Sequence, residues 1–166
     1  HPDVSMVKDR YPNAHAMVLG SLMGYGDASL SDLMKNRKFQ ADEILYVGLQ
    51  GLHDYQEQFL KDMGVNYRVQ TKEFVSEEEI RKFVDRFDHI LVHLDIDVLD
   101  PALFHSTYFA NPELVGDGSG GGRMTMEKLT DVLHCIMDYS DVVGLTIAEY
   151  LPFDEERLHK MFAGLD

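Results

Sequence analysis

The sequence predicts an α/β protein with a mostly parallel sheet covered on both faces by helices. Short apolar runs of strand length alternate with longer stretches whose apolar residues recur at helical spacing. The run ending at Asp95 begins with the unbroken apolar triplet Ile90-Leu91-Val92, the pattern of a strand buried on both faces rather than one.

Taken in order, the strand candidates are Ile44–Leu49, a short Tyr67–Val69, Ile90–Asp95 and Val142–Ala148. Between them lie the helices. Asp54–Met63 places Tyr55, Phe59, Leu60 and Met63 on one face and meets Gly64, a residue suited to the left-handed turn that ends helices. Ser76 followed by Glu79 has the spacing of a capping box and opens a helix running to Phe87. Met126–Asp138 carries Leu129, Val132, Leu133 and Ile136 as an apolar stripe. Asp154 is placed to cap a last helix bearing Leu158, Met161 and Phe162, with Gly164 near its end. Leu103–Arg123 reads as a long glycine-rich loop of the kind that is functional or mobile. Gly116 to Gly121 formally matches G-x-G-x-x-G, but no apolar strand precedes it and Asp117 would repel phosphate, so a flexible loop over the active site is the simpler account.

At 166 residues the chain is one domain, long enough to bury a sizeable core, with 45% hydrophobic and 27% charged residues as in soluble globular proteins. The net charge of −14 argues against nucleic acid and anionic membranes as partners, because both select basic patches. It suits cations instead, whether metal ions or a basic small substrate. The lone Cys135 excludes an internal disulfide, fits the reducing cytoplasm, and lies in an apolar helical stretch as a packed thiol. No apolar run reaches membrane-spanning length and no signal-peptide pattern is present.

The most informative string is His93-Leu94-Asp95-Ile96-Asp97-Val98-Leu99-Asp100-Pro101. Pro101 ends ladder pairing, so Asp95 and Asp97 stand at the end of the strand. Alternate residues of a strand point the same way, which lets both carboxylates converge at the carboxyl edge of the sheet, where α/β proteins bind ligands. Converging carboxylates repel and lose hydration, and therefore need a cation or a shared proton. A solvated Asp-rich turn is the alternative; a divalent-metal site accounts better for the position. His1 and Asp3 offer an imidazole and a carboxylate, a mixture suited to manganese, iron or zinc. His15 is either a structural histidine or a proton shuttle. Glu149 follows the strand Val142–Ala148 directly and is either a turn acid near Pro152 or a carboxylate able to grip a planar guanidinium bidentately.

These residues resemble, in order, the arginase/agmatinase (ureohydrolase) family. His1-Pro2-Asp3 is similar to the end of its Asp-Ala-His-x-Asp motif, and Asn13-Ala14-His15 to the segment bearing its shuttle histidine. Leu94-Asp95-Ile96-Asp97-Val98-Leu99-Asp100-Pro101 resembles its second metal motif. Gly121-Gly122-Arg123-Met124-Thr125 resembles its Gly-Gly-x-Thr segment with one residue more, and Ala148-Glu149-Tyr150-Leu151-Pro152 the strand end bearing its substrate-side glutamate.

The resemblance implies a three-layer αβα fold and two Mn2+ ions bridged by hydroxide, which attacks the carbon of a guanidino or amidino group. His1, Asp3, Asp95 and Asp97 would be metal ligands, His15 the proton shuttle, and Glu149 the group holding the substrate. Ser5 falls where arginases carry an asparagine that touches the substrate's α-carboxylate, which opens the choice among arginine, agmatine, other guanidino acids and formiminoglutamate. Family members commonly form trimers or hexamers. Residue 1 is histidine and the family's earlier ligands precede it, so an N-terminally truncated, partial arginase-like domain, inert or nearly so by itself, is expected over residues 1–166. Two alternatives stand beside this reading. Asp95-Ile96-Asp97-Val98 also fits the signature of haloacid-dehalogenase-type phosphatases, and an arginase-like domain could be kept for assembly or regulation without catalysis.

Overall fold

The computed structural model describes residues 1–5, 12–111, 113 and 120–165. Gly116–Ser119, most of the G-x-G-x-x-G string, lies outside them.

The helices follow the apolar patterning, whereas the strand Ile90–Asp95, expected to be buried on both faces, leaves Leu91 exposed. Two short helices, α1 (Val18–Leu22) and α2 (Ala28–Ser31), precede α3 (Asp54–Met63). α3 stops at Gly64, whose φ of 70° is the left-handed turn that a side chain would resist. α4 (Glu77–Val84) opens with the expected capping box: Ser76 Oγ accepts from the Glu79 amide at 3.3 Å, and Glu79 Oε2 accepts from the Ser76 amide at 3.0 Å. It ends at Val84, three residues before the expected Phe87, because the chain turns there to enter β1 (Ile90–Asp95). α5 (Met126–Tyr139) is capped by Thr125, whose side chain accepts from the Lys128 amide at 3.1 Å. β2 (Val142–Ala148) and α6 (Glu155–Ala163) complete the chain. Asp154 stands at the start of α6 as expected, but its carboxylate accepts from Arg157 at 3.0 Å rather than from a backbone amide.

β1 and β2 pair in parallel, in register from Leu91↔Gly144 to Asp95↔Ala148, so Glu149 emerges one residue past the partner of Asp95. The other two expected strands do not form ladders. Gly48, at φ 84°, bends the Ile44–Leu49 run out of the extended conformation, and the segments meet in one parallel bridge, Leu49↔Val69. The bend is also a close approach: a side chain at residue 48 would come within 2.6 Å of both Val98 and Met124.

The core has three clusters. Leu94, Ile96, Leu99, Phe104 and Met124 pack against Leu129 and Leu133 of α5 and Leu158 and Met161 of α6. Ile90 packs with Val75, Ile80 and Val84 of the α4 region and Val132 and Cys135 of α5. Val4, Met23, Leu49, Leu60 and Val65 gather around α3. Beside α5, β2 leaves Val143, Leu145 and Ile147 exposed and, with Val92, Leu133 and Ile136, lines an apolar groove of about 250 Å³.

The described part of the expected long loop is anchored to the fold. Phe104 is fully buried, Thr107 bridges Tyr150 antiparallel, and Tyr108–Ala110 forms a 3-10 turn. An apolar anchor and a backbone bridge, invisible to a reading of loop composition, hold it down. Among the described residues no helix is long and apolar enough to cross a membrane.

Candidate active site

β1 delivers Asp95 to the carboxyl edge of the sheet, and the 3-10 turn Ile96–Val98 then tucks Asp97 inward until it is 2% exposed. The N-terminal segment runs alongside. The His1 ammonium donates to Asp95 Oδ2 at 3.2 Å, and His1 Nε2 lies 3.4 Å from Asp97 Oδ2. This segment is pinned at several points. Tyr46 Oη donates to Pro2 O at 2.6 Å, and the Gly20 amide donates to Asp3 O at 3.0 Å. The His1 ring also lies near the Phe109 ring, with centroids 5.6 Å apart, so the 103–111 stretch touches the site at His1.

Asp3 and Glu149 both take left-handed backbone conformations, φ 53° and 57°. In side-chain-bearing residues such conformations cost about 1–3 kcal/mol each and persist where surrounding contacts impose them.

The electrostatics are those of crowded, desolvated acids. Burial foremost raises the Asp3 carboxyl to about 7; Asp95, Asp97 and Glu149 add repulsion, against partial relief from the His1 ammonium. Asp95 is raised by burial and by Asp97. Asp97 is raised by burial too, although the His1 ammonium, Gln50 and Asp95 each pull it down. A cavity edge that lifts several carboxyls together is one that a cation would relax.

Two buried polar atoms here, His1 Nε2 and Asp95 Oδ1, make no hydrogen bond. Imidazole nitrogen and carboxylate oxygens are the donor set for manganese or zinc, so the chemistry fits a divalent ion. Among the described residues, no three such side chains are yet drawn close enough to enclose one. The fit is one of donor type and desolvation.

The remaining sequence candidates are placed as follows. His15 is exposed on the 3-10 turn Ala14–Met17, which is tied to the site by the Ser5 amide donating to Ala16 O at 2.8 Å. Ser5 is 1% exposed, with its hydroxyl 3.2 Å from that of Tyr55. Glu149 is exposed at the rim, near enough to Asp3 to raise its carboxyl. The Gly121–Thr125 segment packs under the site: the Gly122 amide donates to Asp97 O at 2.7 Å, and the Met124 amide to Val98 O at 3.2 Å.

Sequence reading missed Gln50. It is buried, and its Nε2 donates to both Asp97 Oδ1 (2.6 Å) and Asp97 O (3.0 Å). The signal was the one that singled out Asp95: a polar residue directly after an apolar run, at the edge where ligands bind.

The fold has close counterparts among solved structures. It resembles the arginase of Entamoeba histolytica solved with L-ornithine (TM-score 0.80, 21% identity, 99% of this chain and 56% of that one). It is also similar to the arginase of Bacillus caldovelox (0.77, 20%, 99% and 56%) and to the formimidoylglutamase of Bacillus subtilis (0.61, 18%, 98% and 48%). The chain therefore spans about half the length of these proteins. No curated protein matches its sequence. The sequence model of the arginase family matches residues 1–164, and the chain belongs to the arginase family.

Proposed function

We propose that this site belongs to a manganese-dependent hydrolase of linear amidines, cleaving a C–N bond in a guanidino or amidino compound in the cytoplasm. What supports the reading is His1 lying against Asp95 and Asp97 where parallel strands end, with Asp3 near enough to feel both carboxylates and Glu149 at the rim. In it, those four residues hold Mn2+ ions, and the negative charge that now lifts the acids is what binds them. When bound, the metal supplies a positive field that makes water nucleophilic near neutral pH and steadies the charge that develops on the attacked carbon's substituents. Glu149 accepts paired N–H donors from the planar cation of the substrate and so orients its carbon. His15, exposed on a turn braced against residues 3–5, gives a proton to the departing nitrogen. Phe109 beside His1 limits access of bulk water. Family membership removes the phosphatase alternative for Asp95-Ile96-Asp97.

The test is product release from a panel of guanidino and formimino compounds by the Mn2+-loaded full-length protein, reading urea, formamide and ammonia. Release from one compound, abolished by Asp97→Ala, identifies reaction and substrate together. Mn2+ bound without turnover of any compound overturns the hydrolase reading in favour of a non-catalytic domain.

A further inference from the structure

Asp97 is a buried carboxylate, and a buried carboxylate must have its lone pairs met or it is held at a high free-energy cost. Its two oxygens are treated differently. Oδ1 accepts from Gln50 Nε2 at 2.6 Å, while Oδ2 faces His1 Nε2 at 3.4 Å. The second N–H of the same amide reaches the Asp97 carbonyl at 3.0 Å, so one Gln50 side chain fixes both the backbone and the carboxylate plane of one residue. At the other end of the amide, Gln50 Oε1 accepts from the His1 ammonium at 3.1 Å.

A second buried glutamine, Gln70, bonds backbone and not Asp97. The Gln70 amide donates to Leu49 O at 2.8 Å, and Gln70 Nε2 donates to Gly48 O at 2.6 Å. Gln70 Oε1 in turn accepts from the Arg123 amide at 2.9 Å. Both glutamines are buried, 4% and 5% exposed, so both hydrogen-bond sets are shielded from competing water.

We propose that Gln50 is a positioning residue of this site, one whose amide anchors Asp97 Oδ1 and turns Oδ2 toward the cation. The inference rests on the metal-site reading above. The chemistry of an amide suits the task. A lysine or arginine here would fix the carboxylate but neutralise it, competing with the cation for its charge. A neutral N–H fixes the geometry and leaves the charge available, the arrangement that hydrogen-bonded partners of metal-ligating carboxylates provide.

The experiment compares Mn2+ affinity, by titration calorimetry and by the electron paramagnetic resonance line shape of the bound ion, in the parent protein and four variants. Gln50→Met keeps the side-chain length without the amide, and Gln50→Asn keeps the amide without the reach. Gln70→Met removes an equally buried amide that does not touch Asp97, and Asp97→Ala removes the carboxylate. The expected result is Mn2+ binding weakened about 10–100-fold by both Gln50 substitutions, an altered line shape, and Gln70→Met within threefold of the parent. If Gln50→Met does not fold, Gln50→Asn carries the comparison. Gln50 variants that bind within threefold of the parent overturn the positioning role and leave the metal site standing. Equal weakening by Gln70→Met also overturns it, reducing Gln50 to general support. A parent that binds no Mn2+, or one that binds no better than Asp97→Ala, overturns the metal-site reading and the proposal with it.

Discussion

Replacing Gly122 by alanine tests the packing beneath the site more sharply than any change to the acids themselves. A Cβ built on Gly122 lies 1.8 Å from the Val98 carbonyl oxygen and 2.3 Å from its carbonyl carbon. Ordinary contact begins near 3.4 Å, so the two segments must separate by about 1.6 Å, the difference between 3.4 and 1.8 Å. The obstacle is backbone and cannot swing aside as a side-chain tip would. Overpacking of this kind costs about 1–3 kcal/mol. Separation also weakens the Gly122 amide bond to Asp97 O and the Met124 amide bond to Val98 O, each contributing about 1 kcal/mol. The sum is near 4 kcal/mol, a large share of the ~5–15 kcal/mol that stabilises a typical domain. For a chain of this size each kcal/mol moves the midpoint about 2–4 °C, so thermal unfolding followed by circular dichroism should show a fall of about 8–16 °C. Gly120→Ala is the internal control: nothing lies within 4 Å of its Cβ, and its midpoint should stay within about 2 °C. A Gly122→Ala midpoint within 3 °C of the parent would refute the close packing of this segment on Val98.

Three further outcomes follow from the same coordinates. Asp3 titrates near 7 in the folded protein, above its value of about 3.9 in an unfolded chain, so its contribution to stability is present at low pH and lost as pH rises through 7. Asp95 and Asp97 shift in the same direction, whereas Glu43, Glu57, Glu78 and Glu79, each hydrogen-bonded or ion-paired, are lowered and act below about pH 4.5. With chelator present the unfolding midpoint should therefore fall between about pH 5 and 7, and Mn2+ should reverse that slope; a midpoint that rises with pH over this window in chelator contradicts the electrostatic account. Ser76→Ala removes half of the capping box of α4 and should cost about 1 kcal/mol, seen as faster amide exchange confined to Glu77–Val84. Phe104→Ala, at a fully buried position between α5 and α6, should cost about 3–5 kcal/mol; a loss under 1 kcal/mol would show that the 103–111 stretch is not anchored there.

The sequence by itself determined the elements whose signals are local. Helix α3 and its glycine stop, the capping box of α4, the stripe of α5 and both paired strands are each encoded within a few residues by periodicity, caps and breakers. Asp95 was legible for the same reason, as the last residue of an apolar strand, and Glu149 as the residue after one; Asp97 is placed by the 3-10 turn Ile96–Val98 and not by the strand alternation the sequence suggested. Tertiary structure decided what depends on partners distant in the chain. Gln50 reaches Asp97 across 47 residues, and no periodicity reports such a contact. The left-handed conformations of Asp3 and Glu149 run against the intrinsic preference of their side chains, and at Asp3 a hydrogen bond from the distant Gly20 amide holds the backbone. Ile44–Leu49 has strand composition, yet Gly48 turns left-handed there because the side chains of Val98 and Met124 occupy the space that any Cβ would need. Composition registers a residue's preference; the fold determines which neighbour it meets, and the placement of this site depends on those meetings.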